Sequence, residues 1–118
     1  MIDEVTIDKV YLAQGPTDLR KSIDGLAAIV QETFELNPFS HCLFVFCNRS
    51  RDKLKILQWD HNGFWLHYRR LERGTFQWPS GNNAIPMAVT RKQLRWLLDG
   101  LSLSQKQAHP AVQSQRIV

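Results

Sequence analysis

Six consecutive apolar residues, Cys42–Cys47, constrain the fold of this chain more than any other feature. Neighbouring side chains of a strand point to opposite faces, so a strand made only of apolar residues leaves neither face to water. Pro38 precedes the run, and the polar residues 48–53 follow it as a turn. The run therefore predicts a central strand that is covered on both sides.

A helix over about residues 17–35 is predicted before this strand. Its apolar residues recur every three or four positions and form one stripe: Leu19, Ile23, Leu26, Val30 and Phe34. Thr17 or Asp18 is placed to cap the first turn, and Asn37-Pro38 ends the helix. A first strand, over residues 5–12, precedes the helix.

Antiparallel strands are predicted after the apolar run. Residues 54–60 and 64–70 alternate apolar and polar side chains around Asn62-Gly63, a pair that favours a tight hairpin turn. Residues 75–78 form a further strand, which Pro79 closes. The sequence thus predicts a meander on this side of the central strand.

A short second helix, about residues 91–99, begins with a capping box formed by Thr90 and Gln93. The predicted fold is a single α+β domain: an antiparallel meander of about four to five strands with one main helix and one short C-terminal helix. The domain spans residues 1–103, and the polar residues 104–118 form a flexible tail. Neither GxGxxG nor GxxxxGK occurs, so no βαβ unit with a nucleotide-binding loop is predicted.

The residue types used by enzymes and metal centres are present but dispersed. Cys42 and Cys47 are five positions apart in one strand, which points their thiols to opposite faces and disfavours a disulfide. No histidine joins them at zinc-ligand spacing, and no nucleophile motif occurs. Asp52, Asp60 and Asp99 fall on separate turns or ends, unlike the converging carboxylates of a metal-dependent nuclease. We predict no catalytic residue, cofactor or metal.

The sequence also predicts a cytoplasmic protein with no membrane contact. No stretch approaches the roughly 20 apolar residues that cross a bilayer. The first nine residues are acidic rather than a basic leader. Two reduced thiols fit the same compartment.

Charge is distributed unevenly along the chain. The net charge is +4, yet residues 1–35 hold seven acidic against three basic residues, and residues 36–118 hold twelve basic against four acidic. Such an asymmetry is typical of a protein that binds a polyanion. The basic residues predicted to contact DNA follow the hairpin and its turns: Arg49, Arg51, Lys53, Lys55, Arg69, Arg70 and Arg73.

Strand alternation places Lys53 and Lys55 on the face of Trp59, which we predict to be the solvent side. Cations there can neutralise phosphates, and an exposed tryptophan can stack on an unpaired base. The opposing interpretation puts Trp59, Trp65 and Trp78 in the core, where aromatic residues are found more often.

Two further segments could hold an anion. The short helix carries Arg91, Lys92 and Arg95, and cations in a first turn oppose the helix dipole, although ordinary surface charge explains them equally well. The turn at residues 15–21 could seat a phosphate on free N–H groups, but Asp18 would repel it. We predict that Asp18 caps the helix instead.

A family resemblance rests on two long segments, GPTDLRKSIDGLAAIV over residues 15–30 and KILQWDHNGFWLHYRRLERGTFQWP over residues 55–79. They resemble the TnpB-type accessory proteins of the bacterial insertion-sequence family numbered sixty-six. The resemblance implies a protein made alongside a separate transposase and needed for the element to move. It implies no catalytic residue or ligand, and the family is distinct from the RNA-guided nucleases of the same name.

The leading hypothesis is a non-enzymatic transposition accessory protein whose hairpin face contacts DNA, at the transposon ends or the target. In the alternative, the chain is an adaptor that docks on the transposase of the same element without touching DNA. The acidic residues of the first helix are the predicted contact with that basic partner: Asp24, Glu32 and Glu35. A nuclease is the least favoured hypothesis.

Overall fold

A computed structural model of the protein describes residues 6–104. Its elements, in chain order, are β1 (Lys9–Leu12), α1 (Ile23–Ala28), a π-helical segment (Ile29–Thr33) that continues α1, β2 (Cys42–Cys47), β3 (Lys53–Asp60), β4 (Gly63–Arg70), β5 (Met87–Val89) and α2 (Arg91–Leu98). The predicted tail after residue 104 and the predicted first residue of the N-terminal strand lie outside this range. No helix within it is long and apolar enough to cross a membrane.

The five strands form one sheet in the order β4-β3-β2-β1-β5. β1 and β2 are parallel, and the other neighbouring pairs are antiparallel. The predicted α+β fold, mostly antiparallel with a main helix and a short C-terminal one, is confirmed. The parallel pair was not predicted. It arises because α1 and its π-helical continuation carry the chain back along the sheet, the kind of crossover that parallel strands require.

The central, doubly covered position of β2 is confirmed. All six of its residues are buried. Phe44 belongs to the apolar cluster beneath α1, whereas Val45 belongs to the cluster beneath α2. Cys42 and Cys47 lie in different clusters, so their thiols are free and on opposite faces, as their spacing predicts.

The first helix begins at Ile23 rather than near residue 17. Ser22 is its N-cap, and the Ser22 hydroxyl accepts a hydrogen bond from the Ile23 N–H at 2.7 Å. Asp18 is therefore not the cap. Its carboxylate accepts hydrogen bonds from the backbone N–H and the guanidinium of Arg20. The chain between β1 and α1 is consequently a loop of ten residues, 13–22.

Two other differences concern the C-terminal half. Residues 75–78 are an irregular segment rather than a strand, although Phe76 and Trp78 are buried in the cluster beneath α2. β5, which pairs with β1, has no counterpart among the predicted strands. A three-residue strand has too few residues to produce a detectable alternation.

The predicted hairpin and the predicted capping box of α2 are confirmed. The hairpin of β3 and β4 forms, but Asp60 pairs with Gly63, so the turn is centred one residue earlier than expected and His61 has a φ of 62°. The capping box of α2 is complete. The Gln93 N–H donates to the Thr90 hydroxyl at 3.0 Å, and the Thr90 N–H donates to Oε1 of Gln93 at 2.9 Å.

Candidate nucleic-acid interface

Parallel pairing of β1 and β2 brings the loops that follow both strands to one edge of the sheet. In the first loop, the Thr17 N–H donates to the carbonyl of Cys47, the last residue of β2, at 2.7 Å. The segment after β4 joins them, because the Phe76 N–H donates to the carbonyl of Arg51 at 2.6 Å. We call this region the loop edge; it comprises residues 13–22, 48–53 and 70–79.

A groove of about 780 Å³ opens at the loop edge. One wall is the loop before α1, and the other is the turn between β2 and β3. The sheet contributes Lys53, Lys55 and Tyr68. We call this cavity the loop-edge groove. Its charged lining residues are Asp18, Arg20, Arg49, Lys53 and Lys55, so four cations surround one carboxylate.

The carboxylate of the groove is already neutralised. Nη2 of Arg20 lies 2.9 Å from Oδ2 of Asp18, and Nε of Arg20 lies 3.0 Å from Oδ1. Hydrogen bonds from Arg20 lower the pKa of Asp18 to about 2. Asp18 therefore stays ionised at neutral pH and is a poor proton acceptor. Its single negative charge is paired with Arg20, so the other three cations leave the groove with a net positive charge.

The other three cations differ in their surroundings. Nζ of Lys55 donates to the backbone carbonyl of Leu19 at 2.7 Å, so this ammonium fastens the first loop to the sheet. Nζ of Lys53 lies 3.5 Å from a carboxylate oxygen of Asp52. The exposed guanidinium of Arg49 forms no ion pair or hydrogen bond within residues 6–104. Arg49 is thus the cation most available to an external anion.

Five of the seven basic residues predicted to contact DNA lie at or beside the loop-edge groove. Arg49, Lys53 and Lys55 line it. Arg70 lies opposite Lys53 in the β3–β4 ladder, on the same face of the sheet. Arg51 is exposed in the turn that forms one wall, with a φ of 59°.

The remaining two do not line the groove. Arg69 points to the opposite face of the sheet, where its Nε donates to the carbonyl of Leu98 in α2 at 3.0 Å. Arg73 is exposed in the segment after β4. The predicted hairpin face does not unite all seven residues, since Arg69 and Arg70 are adjacent in one strand and must face opposite sides.

The face that carries Lys53 and Lys55 is not the solvent side. Leu57, two positions further along β3, is fully buried in the cluster beneath α1. On the same face of β4, Tyr68 and Arg70 near the loop edge are exposed, whereas Phe64 and Leu66 are partly buried. The prediction failed because α1 and α2 cover both faces of the sheet, whereas alternation alone suggested one covered face.

The predicted aromatic platform is also elsewhere. Trp59 is half-buried at the far end of β3, with its ring 4.9 Å from that of Phe39, and Trp78 is buried. Trp65 is exposed, but on the α2 side of β4. The aromatic residue of the groove is Tyr68, which is 55% exposed and lies opposite Lys55. Strand alternation could have indicated Tyr68, because it shares a face with Arg70.

A family model described as "IS66 Orf2 like protein" matches residues 8–108. The chain belongs to this IS66 Orf2-like family. The match contains both segments on which the resemblance rested and confirms it. Membership in the IS66 Orf2-like family implies an accessory role in the transposition of an insertion sequence.

Two curated relatives from Sinorhizobium fredii (strain NBRC 101917 / NGR234) are similar to this IS66 Orf2-like chain over most of its length. The uncharacterized protein y4hO is 42% identical over 93 residues, which cover 79% of this chain and 80% of the relative. The uncharacterized protein y4jC is 26% identical over 102 residues, 86% of each chain. No solved structure matches.

The acidic residues predicted to contact a partner lie away from the loop-edge groove of this IS66 Orf2-like protein. Asp24 is exposed in the first turn of α1, Glu32 is exposed in the π-helical segment, and Glu35 follows it with a φ of 57°. None of the three forms an ion pair within the described part of the chain. Across residues 6–104, no three His, Cys, Asp or Glu side chains are grouped so that they could hold a metal ion.

Proposed function

We propose that this IS66 Orf2-like protein is a non-catalytic transposition accessory protein that holds DNA phosphates in the loop-edge groove. The observation that carries the proposal is the exposed, unpartnered Arg49 beside Lys53, in a groove whose one carboxylate is neutralised by Arg20. Such a groove attracts an anion, and phosphate contacts supply most of the sequence-independent affinity of a protein for DNA.

The chemistry of the lining residues favours binding over bond cleavage. Arginine and lysine neutralise phosphates, and the exposed ring of Tyr68 offers a surface on which a base can stack. Asp18, whose pKa is about 2, is too acidic to take a proton from an attacking water. We assign no catalytic residue and no cofactor to this site.

A salt titration tests the groove. The affinity for a short labelled duplex is measured against salt concentration for the wild type, for Arg49→Gln/Lys53→Gln and for the control Lys9→Gln/Lys92→Gln, which removes two cations outside the groove. Each lost phosphate contact reduces the magnitude of the slope of log affinity against log salt concentration by about 0.9. The slope of the groove variant should therefore be smaller in magnitude than that of the wild type by about 2. Equal slopes for the wild type and the groove variant would contradict the proposal.

The transposase of the same element is the proposed protein partner. The exposed acidic residues Asp24, Glu32 and Glu35 support this, because they would repel DNA and attract a basic DNA-handling protein. Replacing them with Asn and Gln should weaken transposase capture in nuclease-treated extract and leave DNA affinity unchanged. If neither this variant nor the groove variant changes capture, the charges are solvated surface and the exposed aromatic residues become the candidates.

A further inference from the structure

We propose that a single DNA duplex contacts the outer strand β4 on both faces. Its phosphates would lie in the loop-edge groove and in a second groove on the α2 side. This inference rests on the proposed function and extends it to residues that the loop-edge groove does not contain. Among the described residues, β4 is an end strand of the sheet and pairs with β3 alone. Its free edge is therefore open to a ligand that contacts both sides.

The second groove has a volume of about 390 Å³ and lies between β4 and α2. Its apolar part includes Leu54 and Leu94. We call it the arginine groove, because three arginines line it together with His67: Arg69, Arg91 and Arg95. No carboxylate from the described part of the chain lines it. Within residues 6–104, neither Arg91 nor Arg95 has an ion-pair partner.

The position of Arg91 is electrostatically unfavourable in the absence of an anion. Arg91 and Arg95 are four residues apart on α2, so they are neighbours on one helix face and repel each other. Arg91 also lies in the first turn of α2, which has no acidic residue and where a cation opposes the helix dipole. A bound phosphate would relieve both effects at once.

Arg69 contributes to the same groove from the sheet. Its Nε donates to the Leu98 carbonyl at the end of α2 at 3.0 Å, which ties β4 to the helix. The terminal nitrogens of Arg69 make no hydrogen bond within the described residues. The arginine groove thus combines cations from a strand and a helix that are fixed to each other.

The two grooves are close enough for one ligand. Tyr68 of β4 lines both of them, and β3 contributes Lys53 and Lys55 to one and Leu54 and Ile56 to the other, so the two grooves lie on opposite faces of the β3–β4 edge. The major groove of B-DNA is about 12 Å wide and admits a two-stranded β-ribbon. A duplex that receives the β3–β4 edge in this way has one phosphate backbone on each side of the sheet. A single duplex accounts for both basic grooves, whereas two separate duplexes would have to meet at one strand.

The test uses Arg91→Gln/Arg95→Gln with Lys9→Gln/Lys92→Gln as the control, which removes one cation from the same helix outside the groove. Salt dependence of affinity and stoichiometry are measured on one short duplex. The slope of the arginine variant should be smaller in magnitude than that of the wild type by about 2. Each doubling of the salt concentration should then lower the affinity of the wild type about fourfold more than that of the variant. The complex should contain one duplex per protein chain, and Arg91→Lys/Arg95→Lys should retain the slope.

Each contrary outcome has a distinct meaning. If Arg49→Gln/Lys53→Gln flattens the slope and Arg91→Gln/Arg95→Gln does not, the proposed function stands and this inference is wrong. Two duplexes per chain would also overturn it, in favour of bridging between separate DNA segments. An equal reduction of the slope in the control variant would show that the effect comes from the net charge of the protein rather than from the arginine groove, and would contradict this inference. If the wild type binds no duplex, both proposals fall.

Discussion

The ammonium of Lys55 lies 2.7 Å from the backbone carbonyl oxygen of Leu19 and 3.1 Å from that of Lys21. A strand side chain thus holds the loop between β1 and α1, the wall of the loop-edge groove. Hydrogen bonds from a charged donor are among the stronger ones in proteins. The sequence predicts Lys55 as a DNA contact, and we propose from these two hydrogen bonds that it positions the wall of the groove instead.

We expect Lys55→Met to destabilise the protein by about 1 to 2 kcal/mol, because two carbonyls lose a charged donor. For a domain of this size the melting temperature should fall by several degrees. Arg49→Met should melt within about a degree or two of the wild type and weaken DNA binding, since Arg49 has no partner among residues 6–104. Circular-dichroism melts and duplex affinities separate the two. A Lys55→Met variant with a normal melt and lost affinity would make Lys55 a direct contact.

Gly15→Ala should destabilise the same loop for two reasons. Gly15 has a φ of 73°, which L-residues adopt at a cost of about 1 to 2 kcal/mol, and an added Cβ would collide with Oδ1 of Asn83. Gly74 is the matched control, because its φ is 75° and nothing lies near its Cβ position. Urea denaturation should show a larger loss for Gly15→Ala than for Gly74→Ala. Equal losses would mean that Asn83 moves aside freely.

Cys47 should be chemically inert in the folded protein. Burial raises the pKa of its thiol to about 12, so almost no thiolate exists near neutral pH. In a Cys42→Ser background, iodoacetamide should leave Cys47 unmodified in the native state and modify it fully in denaturant, as measured by mass spectrometry. Rapid modification of the native protein would show that β2 opens to solvent.

Local signals in the sequence predicted local structure well. The hairpin formed near Asn62-Gly63 with its turn one residue earlier, and Thr90 with Gln93 produced the capping box, because both depend on residues a few positions apart. The apolar run predicted the central strand, since its composition alone requires cover on both faces. These features depend on residues close in sequence and not on contacts with distant segments of the chain.

Pairings between distant segments were not predictable in the same way. The parallel partnership of β1 and β2, and the addition of β5, depend on packing across the sheet rather than on any short pattern. The loop-edge groove follows from that partnership, so its walls could not be recognised beforehand. The separation of Arg69 from Arg70 is different. Strand alternation alone requires it, and grouping them by sequence proximity was a wrong inference from correct elements.

His67 should make the stability of the fold depend on pH. Its Nε2 lies 2.9 Å from Oε1 of the buried Gln58, and since that oxygen only accepts, Nε2 carries the proton. Burial lowers the pKa of His67 below its ordinary value of about 6.5. The unfolded chain therefore binds more protons than the folded chain as the pH falls through about 6.5. Stability should decrease through this window and level off below the folded-state pKa.

The variant His67→Gln should remove this dependence while retaining a side-chain donor for Gln58. His61→Gln is the control, because His61 is exposed in the hairpin turn. Urea denaturation at about pH 7.5 and about pH 5.5 gives the change in unfolding free energy for each protein. Wild type and His61→Gln should lose stability at the lower pH, and His67→Gln should lose less. If His67→Gln loses as much as the wild type, the pH dependence arises from another group and the burial of His67 has no effect on its protonation.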